Sequence, residues 1–176
     1  EIRIHDAGGR LLPAGEVGDI YLRMHGTPDF TYHGNHDARL RAERDGFITT
    51  GDMGCLDDEG YLYIRDRRSD MLISGGVNIY PVEIEAALLS HPEIVDAAVF
   101  GIPDAEFGES VATHITATEG SKLDEQGVRD YLRNCIAGYK IPKVVVFEKE
   151  LPRQENGKIY KRLIREPYWQ GHTKRI

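Results

Sequence analysis

The sequence is poor in the features that most directly announce a function. It has only two cysteines, Cys55 and Cys135, which lie far apart and form no CxxC pair. That argues against a disulfide framework, and both read as free thiols of a cytoplasmic protein. No apolar run approaches the ~20 residues needed to span a bilayer. There is no basic excess: the formal net charge is −7, which gives no general attraction to nucleic acid or to an anionic membrane. No GxGxxG opens a helix after a strand, so a dinucleotide-binding domain is not expected. Internal repeats and low-complexity segments are absent. The opening residues, EIRIHDAGG, do not read as a signal peptide. They read as the middle of a strand running into a turn, so the chain is expected to begin inside a larger protein.

What is present is a globular composition. Hydrophobic residues make up 40% and charged residues 29% of 176 positions, enough for one ordinary domain or two small ones. The chain is organised around residues 64–85, IRDRRSDMLISGGVNIYPVEIE. A dense charge run, Arg65 to Asp70, meets the short apolar run Met71-Leu72-Ile73. Ser74-Gly75-Gly76 follows, where the glycine pair permits positive φ and the close approach of another molecule. Tyr80-Pro81 then opens a helix. Proline suits its first turn, and Glu83 and Glu85 complement the positive end of its dipole. Taken locally, the stretch is a strand, a glycine turn and a helix joining two domains.

Before this stretch the pattern is that of strands. Ile2 and Ile4 alternate with polar residues, and Val17, Ile20 and Leu22 form a second strand. Residues 26 to 46 are polar and irregular, with Gly26, Pro28, Gly34 and Asn35. His33 and His36 have no accompanying ligand set and read as surface loop, not metal site. Phe47 to Thr50 is a short strand ending in Thr50-Gly51-Asp52. A carboxylate at such a turn can accept hydrogen bonds from vicinal hydroxyls, as acidic residues do with a ribose, or can simply close its own turn. Cys55 to Ile64 is a hairpin whose acidic turn lacks EF-hand spacing.

Beyond Ser69 the periods are mixed. Ile84, Ala87, Leu88 and His91 mark a helix from about Pro81 to Ser90. Val95–Ile102 and Val111–Ala117 are strands. Ser121-x-x-Asp124 resembles a helix-start box, and a helix through Leu132 follows, ending near Gly138. Val144 to Phe147 is a third strand. Leu151 to Lys158 is a lysine-bearing loop, and Ile159 to Arg165 a short basic helix, its charges read as a solvated face. The fold class expected is α+β: the end of a β-rich subdomain, residues 1–68, then a small mobile domain, residues 69–176, with a three-stranded sheet covered by helices.

Four elements stand together in order: Thr50-Gly51-Asp52, Asp66-Arg67, Ser74-Gly75-Gly76 with Tyr80-Pro81-Val82-Glu83-Ile84-Glu85, and Pro152 to Lys158. With Val99-Phe100-Gly101-Ile102-Pro103-Asp104, Gly108-Glu109 and Tyr139-Lys140-Ile141-Pro142-Lys143 they resemble the C-terminal third of the adenylate-forming enzymes. Within that superfamily the sequence looks most like a bacterial-type fatty or other carboxylic acid–CoA ligase. The resemblance covers essentially the whole chain.

The resemblance implies a two-step reaction using ATP and coenzyme A. A carboxylic acid is first adenylated, and the coenzyme A thiol then displaces AMP. It implies that Asp52 holds the ribose hydroxyls, that Arg67 contacts the nucleotide, and that Lys158 bridges the acid carboxylate and the α-phosphate. It implies a hinge at Ser69, where many relatives carry Asp or Lys, and a coenzyme A channel bordered by Gly75 and Gly76. Val77 stands where many relatives have Glu, and Gln154 and Asn156 replace common Thr or Ser. Read locally, Lys158 is a surface lysine at a helix start, an unfavourable place for a cation, and an unfavourable residue hints at function.

The resemblance also implies what lies elsewhere. The Gly-rich phosphate loop, the acyl pocket and the magnesium-binding carboxylate belong upstream of Asp52, in a missing N-terminal large domain, so this chain is expected to be inactive alone. Rival readings are an adenylation domain of a peptide synthetase, a luciferase-like oxygenase and a non-catalytic binding module. The first would continue into a carrier domain and the second would end in Ser-Lys-Leu, while the third predicts drift at Asp52, Gly76 and Lys158, all of which are intact.

Overall fold

The structure is a computed structural model and describes residues 1–26 and 30–172. Pro28 and the last four residues of the basic tail lie outside the described residues. The chain divides into two compact units, Glu1–Ser69 and Asp70–Ile176.

The first unit is a five-stranded sheet built on one long strand. β1 (Ile2–His5) and β2 (Gly18–Leu22) pair antiparallel, and α1 (His36–Ala42) precedes the two-residue β3 (Glu43–Arg44). β4 (Phe47–Leu56) gives one edge to β2 and divides the other between β3 and β5 (Leu62–Arg67). Two sequence expectations change here. The stretch read as irregular contains α1, capped by Asn35, whose side-chain oxygen accepts from the Ala38 N–H. Its buried face is carried by Arg39 instead of an aliphatic stripe, which is why hydrophobic periodicity missed it. The strand expected to stop at Thr50 runs on through Gly51, whose φ of 80° is accommodated within the strand. Asp52 therefore sits on a ladder and not at a turn.

The second unit is also built on one long strand. β6 (Leu72–Ser74) and β7 (Val77–Ile79) form a hairpin, α2 (Pro81–Leu89) follows with Pro81 in its first turn, and β8 (Ile94–Asp104) pairs along its length with β9 (Gly108–Ala117). α3 (Glu125–Arg133), β10 (Val144–Phe147) and α4 (Lys161–Trp169) complete it. The free edge of β9 is shared by β6, at Gly108, and by β10, which runs parallel over Ala112 to Ile115. The three expected strands are present as β8, β9 and β10, and the β6–β7 hairpin extends them to five. Its turn is the glycine pair itself, with φ of 56° and 81° at Gly75 and Gly76, the two positive values that a tight hairpin turn of matching twist requires.

Strand alternation puts a core on each face of this sheet. Ala97, Val99, Val111, Ile115 and Val145 pack with Ile84 and Leu88 of α2 and Val128 and Leu132 of α3. Phe100, Ile102, Ala112 and Val144 face the other way, onto Ile164 and Tyr168 of α4. At α3 the cap is Asp124, which accepts from the Gly127 N–H, while Ser121 bonds Glu93; the serine is one turn too early to cap.

Candidate functional site

In the first unit, strand register makes the pair. β4 and β5 set Asp52 directly opposite Arg67, and the Asp52 Oδ1 lies 3.5 Å from Arg67 Nε. The Thr50 hydroxyl donates to Asp52 Oδ2 at 2.7 Å. The carboxylate is 26% exposed and the guanidinium 64%. Each carboxylate oxygen thus has one partner and lone pairs to spare, and the guanidinium is held loosely enough to donate elsewhere. The next residue fixes the strand end: the Arg68 N–H donates to Gly51 O at 2.8 Å, and the Arg68 guanidinium pairs with the nearly buried Asp19. Ser69 is the last residue of this unit.

In the second unit the Gly75 N–H donates to Phe107 O at 2.9 Å. A Cβ on Gly75 would come within 3.1 Å of the Phe107 ring, whereas one on Gly76 would meet nothing within 4 Å. The hairpin thus leans on Phe107 through Gly75 and is open at Gly76. Phe107 is itself exposed, with Lys143 Nζ 4.9 Å above its ring. The ammonium also bonds Asp104 at 2.6 Å, which lowers that carboxyl to a pKa of about 2. A cleft of about 710 Å³ opens on this side, lined in part by Ile73, Ile102, Phe107, Glu109 and Trp169. Sequence reasoning used Glu109 and Lys143 only as parts of motifs and missed Phe107. An exposed aromatic two residues before that glutamate was the available signal.

Lys158 is not at a helix start, because α4 begins three residues later. It closes a small hairpin. Gly157, at φ 82°, donates its N–H to Gln154 O at 2.9 Å, the Gln154 N–H donates to Lys158 O at 2.8 Å, and Arg153 bridges Ile159. The Lys158 N–H donates to Asn156 Oδ1 at 3.1 Å. The backbone is therefore fixed at both ends of the residue. Among the described residues its exposed ammonium has no ion-pair partner, unlike Lys161 of α4, which pairs with Glu85 at 2.6 Å. The basic helix is accordingly less of a solvated face than its sequence suggests.

The glycine hairpin and the lysine loop belong to opposite ends of one ribbon. Ser74 pairs with Gly108 at the start of β9. The lysine loop is tied through Arg153 to Asp96, which pairs with Thr116 eight residues further along β9. At ~3.3 Å per residue the two anchor points stand about 26 Å apart. The sheet does not bring Lys158 to the glycines. Among the described residues no three His, Cys, Asp or Glu side chains gather as a metal set, and no helix is long and apolar enough to cross a membrane.

A fold of two sheets with these helices is that of the C-terminal region of adenylate-forming enzymes. Residues 83–158 match the family described as the AMP-binding enzyme C-terminal domain. The chain is 43% identical over 137 residues to a long-chain-fatty-acid–CoA ligase, FadD13, of Mycobacterium tuberculosis, covering 78% of this chain and 27% of that protein. It is 40% identical over 168 residues to a 2-succinylbenzoate–CoA ligase of Bacillus mycoides, covering 94% and 34%. ATP-bound MatB from Rhodopseudomonas palustris superposes with a TM-score of 0.88 at 35% identity, over 98% of this chain and 35% of that one. The chain belongs with the C-terminal part of the adenylate-forming enzymes and is most like that of acyl-CoA ligases. It spans about a third or less of the length of these relatives.

Proposed function

We propose that this chain is the C-terminal part of an AMP-forming carboxylic acid–CoA ligase, cytoplasmic and inactive by itself, which serves two chemical steps with two ends of its small domain. The observation that carries this reading is the separation of about 26 Å along β9 between the glycine hairpin and the anchor of the lysine loop. Two ends so far apart cannot occupy one nucleotide pocket together, so the domain must turn between steps.

In the first step a carboxylate oxygen attacks the α-phosphorus of ATP, the bond to the pyrophosphate oxygen breaks, and acyl-AMP forms. Lys158 sits over this centre. Its unpaired ammonium on a pinned backbone suits a site where negative charge gathers between carboxylate and phosphate. Asp52 accepts from the ribose hydroxyls and Arg67 donates to ribose or phosphate, the donor and acceptor capacity left over from their mutual contact. In the second step the coenzyme A thiol attacks the acyl carbon and AMP leaves. Gly75 and Gly76 then border the path of the thiol arm, with open space at Gly76. The hinge is Ser69, between a domain portion at 1–68 and the mobile domain at 69–176, where the two compact units meet in sequence. In support, MatB matches this chain over the same 98% with a TM-score of 0.88 when ATP-bound and 0.68 as the apo protein, so that stretch of the relative is not one fixed shape. Magnesium, when bound, screens the phosphates, and its ligand belongs to the upstream large domain along with the acyl pocket.

The test is Lys158→Ala in the longer ligase that carries this chain. Acyl-AMP formation from acid and ATP should fall ~10²–10³-fold, while thioester formation from supplied acyl-AMP and coenzyme A persists. Retention of both steps would remove Lys158 from the site. ATP-dependent thioester formation by the 176-residue chain alone would overturn the fragment reading.

A further inference from the structure

The lysine loop is held by something other than its own backbone. Arg153 sends one guanidinium nitrogen to the carbonyl of Gly157, the residue before Lys158, at 2.6 Å, and the other to the carboxylate of Asp96 on β8. Asp96 is itself oriented: its Oδ1 accepts the Ala97 N–H at 3.1 Å. It sits where the β8–β9 register slips between Ile94 and Asp96, and such bulges re-aim side chains. A continuous line of contacts therefore runs from the sheet through Asp96 and Arg153 to the peptide that carries Lys158.

The Arg153 side chain is 45% exposed and that of Asp96 is 17% exposed. An ion pair this open to solvent contributes little to folding. What it does fix is the direction of one guanidinium fork, whose planar geometry can serve a carboxylate and a carbonyl at once. We infer that Arg153, oriented by Asp96, is a positioning residue for Lys158: it sets where the ammonium stands during adenylation and has no part in thioester formation. The inference rests on the proposed role of Lys158. A lysine cannot replace this arginine, because one ammonium on a flexible stem does not reproduce the two fixed contacts.

Two measurements test it. In the 176-residue chain, hydrogen exchange at the Gln154 and Gly157 amides reports the loop hairpin directly, and Arg153→Ala and Asp96→Asn should each speed it at least about tenfold with no change at the β8–β9 amides. In the longer ligase, with whichever of hexadecanoate or 2-succinylbenzoate the wild type activates, Arg153→Ala and Arg153→Lys should lower kcat for acyl-AMP formation by roughly 10–100-fold. The KM for ATP should stay near wild type and the thioester step should survive. Unchanged exchange at both amides overturns the strut. Unchanged adenylation in the Arg153 variants, where Lys158→Ala abolishes it, overturns the positioning role alone. Normal adenylation in Lys158→Ala overturns the reading on which it depends.

Discussion

The two units solve one problem in different ways. Each is built on a ten-residue strand, β4 or β9, which gives one edge to a single partner and divides the other between two. The second unit covers both faces of its sheet with helices and buries aliphatic side chains on each. Among the described residues the first has one short helix. Its most deeply buried ring, Phe47, has the guanidiniums of Arg3 and Arg23 at 4.1 and 4.3 Å from the ring centre. On β5, Tyr63 and Ile64 are more than half exposed. The first unit does bury apolar side chains, among them Ile4, Ile20, Phe47 and Met53, but fewer than the helix-covered sheet of the second. The sole tryptophan, Trp169, lies in the second unit and donates to Gly101 O at 2.9 Å, so its fluorescence reports the packing of that unit.

The comparison is broken most directly in the helical core. Leu132→Ala empties a fully buried site on α3 and should cost ~2–5 kcal/mol, read as an earlier urea midpoint of Trp169 fluorescence. A loss below about 1 kcal/mol would mean that the α3 face is not well packed. In the first unit, Phe47→Leu keeps most of the apolar volume but removes both ring–guanidinium contacts. The expected loss is ~1–2 kcal/mol, seen by far-UV circular dichroism with the Trp169 midpoint unmoved. Coincident shifts in both probes would show that the units unfold as one and that their difference is only architectural.

A third effect belongs to the second unit and concerns pH. His114 on β9 is buried against Phe100, its Nδ1 3.1 Å from Glu148 and its Nε2 3.0 Å from the Tyr168 hydroxyl of α4. Burial pushes its pKa below the usual 6.5, against the pull of Glu148. The unfolded chain then takes up this proton at a higher pH than the folded one. Stability present above about 6.5 is lost as pH falls from there towards the folded pKa. His114→Gln should flatten that part of the Trp169 stability profile, and an unchanged slope would assign it to another group.

Much of this was legible in the sequence, and what was not has physical causes. Val111 to Ala117 could be read as a strand because Val111, Thr113, Ile115 and Ala117 alternate, although the structure buries both of its faces over residues 111–115 and not the single face expected. The proline-led helix α2 could be read because only one of its faces is buried. The motifs that carry the family resemblance could be read as a set because each is short and local. α1 could not, since its buried residue is an arginine. The β7 strand could not, since three residues carry no period. Thr-Gly-Asp is good turn chemistry and reads as a turn at Asp52, but pairing with β2 on one edge and with β5, which holds Arg67 opposite Asp52, on the other keeps that segment extended. Lys158 was assigned to a helix start, whereas Gly157 and the Arg153–Ile159 bridge make it the end of a hairpin. The distance between the glycines and the lysine loop was beyond sequence altogether, because it is a property of how far β9 runs.

The smallest effect sharpens the contrast furthest. Ile64 is 64% exposed on β5, and in the 176-residue chain Ile64→Ser should change stability by no more than about 0.5 kcal/mol. If the first unit is the end of a larger domain, this face is one that upstream residues cover, and the same substitution in the longer ligase then buries a hydroxyl in place of an apolar side chain. The cost there should rise to ~1–3 kcal/mol. Equal and negligible effects in both chains would leave the β5 face as surface in the longer protein too, and the contrast between the units would then be intrinsic to them and not a mark of what the first one packs against.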